Sequence, residues 1–187
     1  MSLRASTSQT IGPYLRIGLE WMQIEEVAPR GVAGERYTIR GRISDGDGKP
    51  VNDAAVEIWQ ANSHGRYASP QDEQDKPLEA SFRGYGRSLT DDEGAFRFST
   101  VKPGRVPGPD SNLQAPHLNV TIFMRGLLKQ LMTRMYFPDD PANGADPVLA
   151  LVPAERRATL IARKAGDGTL EWNVILQGRD ETVFFDF

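Results

Sequence analysis

Short runs in which apolar residues alternate with polar ones, each cut off by glycine, aspartate or proline, recur along this chain and restrict its fold more than any other feature. YTIRGRI (37–43) runs into the turn cluster SDGDGKP. AAVEIWQ (54–60) sets Val56 and Ile58 on one side and Glu57 and Trp59 on the other. TDDEGAFRFSTVKPG (90–104) turns at Gly94, spaces Phe96 and Phe98 by two, and closes at Pro103-Gly104. LNVTIFM from Leu118 and QLMTRMYF ending before Pro138 add two more strands, and TLIARKAGDGTLEWNVIL (159–176) reads as a hairpin about Gly-Asp-Gly. PAERRATL from Pro153, with proline at a first-turn position, is the one short helix candidate. Strands joined this way predict an all-β chain: an antiparallel β-sandwich with long loops, an irregular N-terminal arm and little helix.

The 187 residues suffice for a single domain, taken as 1–187. Two stretches stand outside the strand pattern. Residues 1–35 form an arm without sustained period, and 61–87 form a long polar connection. Connections of that length in a compact domain usually carry function, so both are candidate contact surfaces. A net charge of −3 argues against nucleic acid or anionic lipid as partners. The start MSLRASTSQTIGPYLRIG lacks the apolar core of about seven to fifteen residues that marks a secretory signal, so a soluble cytoplasmic protein is expected. With no cysteine, thiol nucleophiles and thiolate metal sites are excluded. Any metal would have to be held by histidine, carboxylate or phenolate.

The chain has two histidines. His64, in Asn62-Ser63-His64-Gly65, reads as a solvated loop residue. His117 opens a strand, and the residue two further on, which faces the same side, is Asn119. A His-x-His pair there would begin a transition-metal site; a neutral amide in the second place is a poor donor, so a plain strand histidine is the better reading. In SDGDGK, Asp45 and Asp47 suit the first and third places of a calcium loop, but the twelfth falls on Val56 where glutamate is needed, which leaves a tight turn. Taken singly, Arg105, Arg125 and Arg134 read as surface ion pairs. TVFFDF (182–187) carries enough apolar area to require docking, on its own domain or on a neighbour.

Taken together, TSQTIGPYLRIG, VEIWQANSHGRY, GRSLTDDEGAFRFSTVKPG, APHLNVTIF, TRMYF and GRDETVFFDF resemble the intradiol ring-cleavage dioxygenases from Thr7 to Phe187. TSQTIGPY and ETVFFDF are similar to the α chains of the two-chain branch that acts on protocatechuate. The resemblance implies a β-sandwich that pairs with a homologous catalytic β subunit in a large αβ hetero-oligomer. It also implies a reaction in which protocatechuate and O2 give 3-carboxy-cis,cis-muconate, and a non-haem Fe3+ held by two tyrosines and two histidines of the β chain.

Carried onto this chain, the four ligand positions fall on Gln74, Val106, His117 and Asn119, and an arginine of the catalytic pattern three residues ahead of His117 is Gln114. Three of the four donors are then absent, and the expectation is that this chain binds no metal. The same resemblance assigns Thr10, Gly12, Pro13 and Tyr14, with Arg134, to the substrate-site wall at the α/β interface, and no catalytic residue to this chain. Two other readings stay open at this stage. GRISDGDGKPV and LTDDEGAFRF also resemble small metal-free β-sandwich binding or spacer modules. A self-sufficient dioxygenase would have to use substituted ligands such as Tyr67 or Tyr85 with His64 and His117.

Overall fold

The computed structural model describes residues 5–12, 14–108 and 112–186. Its strands are β1 (Arg36–Ser44), β2 (Ala55–Trp59), β3 (Tyr85–Leu89), β4 (Ala95–Val101), β5 (Val106–Pro107), β6 (Leu113–Gln114), β7 (His117–Phe123), β8 (Leu131–Tyr136), β9 (Arg163–Gly166), β10 (Thr169–Glu171) and β11 (Val174–Ile175). One sheet runs β11-β1-β10-β9, with β4 also on β1; the other runs β3-β2-β7-β8, and β5 and β6 make a separate small hairpin.

The period-two pattern fixes which residues meet between the sheets. Ile39, Ile43, Phe96, Phe98, Leu170 and Val174 from one sheet pack against Val56, Ile58, Leu118, Val120, Ile122 and Met135 from the other in one buried cluster. Glu57, Trp59, His117, Asn119, Arg134 and Tyr136 therefore point to the outer face of the second sheet. The expected sandwich is present, and its second sheet is antiparallel throughout.

The first sheet departs from a purely antiparallel plan. β1 pairs with β4 in antiparallel register but with β10 and β11 in parallel. Between those two strands the chain steps past Gly41, where a Cβ would lie 2.0 Å from the Trp172 carbonyl oxygen. Only glycine admits that approach.

Strand β3 begins inside the stretch 61–87, which shortens the polar connection. The proline-led segment is helical but of the tighter 3-10 kind, over Ala154–Leu160. In the arm, Tyr14–Leu19 forms one short α-helix with no buried residue. The second half of the arm belongs to the fold, since Ile24 bridges to Arg87 on β3 and Val27 and Ala28 are fully buried. The tail docks on its own domain: the Phe185 amide donates to the Met132 carbonyl at 2.7 Å, and Phe184 and Phe185 pack on the core clusters.

Candidate functional site

Across the outer face of the second sheet runs one row of residues in register. Tyr85 stands opposite Trp59, Trp59 opposite Asn119, and Asn119 opposite Arg134; beside it His117 stands opposite Tyr136. Directly facing pairs lie about 5 Å apart at Cβ, so these side chains form one continuous surface.

The connection after β2 folds back over this row. Tyr67 stacks on Trp59 with ring centroids 5.8 Å apart and planes 12° from parallel, and the Asn119 amide donates to its hydroxyl at 3.4 Å. Gly65 lets this loop close, with φ of 78° and a Cβ position 2.1 Å from the Arg105 carbonyl oxygen. A cavity of about 550 Å³ opens here, lined by Trp59, Tyr67, Asp72, Gln74, Val106 and neighbouring loop residues. The positions assigned by resemblance to four metal ligands thus come into one region: Gln74 and Val106 line the cavity, and Asn119 joins it through Tyr67, with His117 two residues away on β7.

Their chemistry does not suit a ferric ion. Val106 offers no donor atom. Gln74 and Asn119 could offer only neutral amide oxygens, which are poor donors for a trivalent ion; their amide nitrogens bond the Gly65 carbonyl at 3.0 Å and Asp72 at 3.1 Å, and Tyr67. His117 has one ring nitrogen, Nδ1, 2.7 Å from the Ala115 carbonyl oxygen, while Nε2 is buried without a partner. One imidazole is too few donors for iron. Among the described residues no group of three or more histidine, aspartate or glutamate side chains is placed to hold a metal ion.

The electrostatics of the pocket follow from burial and one cation. His117 is pushed down to about 4, first by burial and then by the Arg134 charge. Burial raises Tyr67 and Tyr136 above the usual phenol range, and Arg134 acts against both shifts. Burial alone would raise Asp72, but hydrogen bonds from the Tyr67 and Gln74 amides and the Gln74 side chain prevail and hold it below the usual carboxylate range. Imidazole and phenols are therefore neutral at pH 7.

Arg134 is half-buried and, among the described residues, forms no ion pair. Its Nη1 donates to Gln114 Oε1 at 2.7 Å and to the Tyr136 hydroxyl at 3.4 Å. Arg125 does form one, with Asp53 at 3.0 Å, while Arg105 donates to the Leu113 carbonyl at 2.9 Å. His64 is exposed, as its loop suggested.

Asp146 is a residue the sequence reading missed. Fully buried, it accepts from the Tyr136 hydroxyl at 3.0 Å, the Ala115 amide at 2.7 Å, and the Val148 and Leu149 amides at 3.0 and 2.7 Å. It fixes both the entry to β7 and the end of β8. The one signal available was an aspartate before a proline, a common turn-forming pair.

The proposed wall residues lie in two places within the chain. The Gly126 amide donates to Thr10 Oγ1 at 2.7 Å, in the turn joining β7 to β8. The His117–Tyr136 pair is at the opposite end of that ladder, and Arg134 is next to it. Gly12 has open space around it and Tyr14 is 81% exposed, so the arm presents these groups outward. Pro13 lies outside the described residues.

Comparison with known proteins places this geometry. A family model described as dioxygenase matches residues 23–178. The chain belongs to the intradiol dioxygenase family. The protocatechuate 3,4-dioxygenase alpha chain of Burkholderia cepacia is 42% identical, covering 99% of this chain and 98% of that one. The alpha chain from Pseudomonas putida is 38% identical at the same coverage. The beta chain from Burkholderia cepacia is also 42% identical, but over 80% of this chain and 67% of its own length. Among solved structures, catechol 1,2-dioxygenase from Acinetobacter shares the fold with a TM-score of 0.61 and 21% identity, covering 80% of this chain and 55% of that one. The chemistry of the family is oxidative ring cleavage, and this chain shares its fold and sequence.

Proposed function

We propose that this chain is the iron-free α partner in an intradiol enzyme that opens protocatechuate between its two hydroxyls with O2 to give 3-carboxy-cis,cis-muconate. The Fe3+ is held by a homologous catalytic β subunit, the two assemble as a large αβ hetero-oligomer, and the enzyme works in the cytoplasm. What supports the reading is that the side chains at the positions assigned by resemblance, Gln74, Val106 and Asn119, include no imidazole or phenol, in a chain that alpha-chain relatives match over 99% of its length.

In this reading the chain's own residues bind and orient. Thr10, Gly12, Pro13 and Tyr14 form one part of the wall around the partner's substrate. Gly12 allows close backbone approach to a flat ring, and the exposed Tyr14 hydroxyl can donate to it. Arg134 supplies positive charge to offset the substrate carboxylate. Such positioning lowers the barrier without any bond being made by these groups.

The test is to purify the chain alone and together with its β partner, then to measure bound iron and oxygen uptake with protocatechuate. Iron and turnover are expected only in the complex. Stoichiometric ferric iron with activity in the lone chain would refute the division of labour.

A further inference from the structure

Two buried nitrogens on the outer face of the second sheet have no hydrogen-bond partner: Nε2 of His117 and Nε of Arg134. They belong to neighbouring pairs of the same ladder, His117 with Tyr136 and Asn119 with Arg134. A half-buried guanidinium commonly faces a carboxylate, because a charge partly withdrawn from water is stabilised by an opposite one. Among the described residues Arg134 makes no ion pair. Asp146, the carboxylate bonded to Tyr136, already accepts from Tyr136, Ala115, Val148 and Leu149. The guanidinium instead rests on oxygen acceptors that carry no charge, Gln114 Oε1 and the Tyr136 hydroxyl. Its field reaches His117, Tyr67 and Tyr136 alike. Arg134 thus bonds Gln114 and Tyr136 and faces Asn119 across the ladder, with the His117 ring in the next pair, Tyr67 bonded to Asn119, and the Asp146 carboxylate behind the Tyr136 hydroxyl; its nearest partners are neutral oxygen and nitrogen groups of the kind that would surround a bound cation.

We infer that the guanidinium of Arg134 stands in for a metal ion on this face: it is the resident cation around which His117, Asn119, Tyr67, Tyr136 and Gln114 are arranged, and it bars a metal from them. The chain is then closed to metal twice, by missing donors and by a fixed positive charge. Restoring donors alone will not reopen it. This goes beyond the proposed division of labour, which requires only that the wild-type chain hold no iron.

The experiment uses the full chain and Co2+ alone as probe, read by its visible absorption and by calorimetric titration. Asn119→His recreates two imidazoles on one strand face and is expected to bind no more Co2+ than wild type. Asn119→His with Arg134→Gln keeps an amide in place of the charge and is expected to bind on the order of a hundredfold more tightly than Asn119→His, because a like charge within contact range has gone. Asn119→His with Arg134→Lys keeps the charge and should behave as Asn119→His. If histidine at 119 disturbs the melting transition, the series is repeated with Asn119→Asp, also a donor. Binding by Asn119→His as tight as by the Arg134→Gln pair, or no gain in that pair, overturns the inference. Either result leaves the iron-free reading of the wild-type chain standing, which falls only if the unaltered chain binds iron.

Discussion

Lowering the pH from about 6.5 to 4 should destabilise this chain through His117. The imidazole is 3% exposed and its folded pKa lies at about 4, against 6.5 for the free side chain. The unfolded chain therefore takes up a proton at His117 as pH falls below about 6.5, while the folded chain resists until about 4. The state that binds more protons gains on acidification, so the stability from the neutral buried ring is present above pH 6.5 and is lost between there and 4. At about 1.4 kcal/mol per unit the loss comes to about 3 kcal/mol. Urea unfolding of wild type and His117→Gln, measured at intervals from pH 7.5 to 4, checks this. The variant starts lower because it lacks the Nδ1 contact with Ala115, but its stability should fall less steeply across the window. Parallel pH profiles would show that the folded protein protonates this ring without penalty, and the account of His117 as a buried ring beside the Arg134 charge would fail with it.

Asp146→Ala removes one acceptor for four donors and should cost about 4 kcal/mol or more, read as a lower urea midpoint with an unchanged slope. Gly41→Ala forces a methyl group against the Trp172 carbonyl and is expected to cost about 2 kcal/mol or more by thermal melting. In the αβ complex, Arg134→Ala should raise KM for protocatechuate about tenfold or more while leaving bound iron unchanged, and loss of iron instead would mark the residue as structural. Removing residues 1–14 should reduce turnover or assembly far more than the melting temperature of the chain alone, since the short α-helix whose first residue is Tyr14 buries nothing. Unimpaired turnover by the truncated complex would take the arm out of the substrate wall.

Most strands were legible because their inward positions carry large apolar side chains, as in β2, β4 and β7. β3 was not, because its two buried positions are Gly86 and Ser88. Gly86 is small for a reason invisible in the sequence: a Cβ there would lie 2.6 Å from a Val27 methyl group. Period two records which face a residue takes but not the direction of the neighbouring strand, so the parallel pairing of β10 and β11 could not be read. At the site, the gathering of Gln74, Val106 and Tyr67 around one cavity depends on the fold of the 61–87 connection, which the sequence pattern does not reveal. The bonding of Arg134 to Gln114 was not legible either, since it joins residues 20 apart that come together only through register. Asp146 was hidden for a similar reason: its local bonds to the Val148 and Leu149 amides are those of an ordinary turn, while the partners that matter, Tyr136 and Ala115, lie 10 and 31 positions away.

The parallel seating of β10 and β11 on β1 has a consequence for synthesis. The Arg42 amide is satisfied by Asn173, 131 positions later. During translation the first-made strand of the sandwich has a vacant flank until almost the entire chain has emerged, and closing so long a loop is slow. A ribosome paused anywhere in the second half would hold an open edge able to pair with another nascent chain, so the schedule of this protein's maturation is set by its final strands.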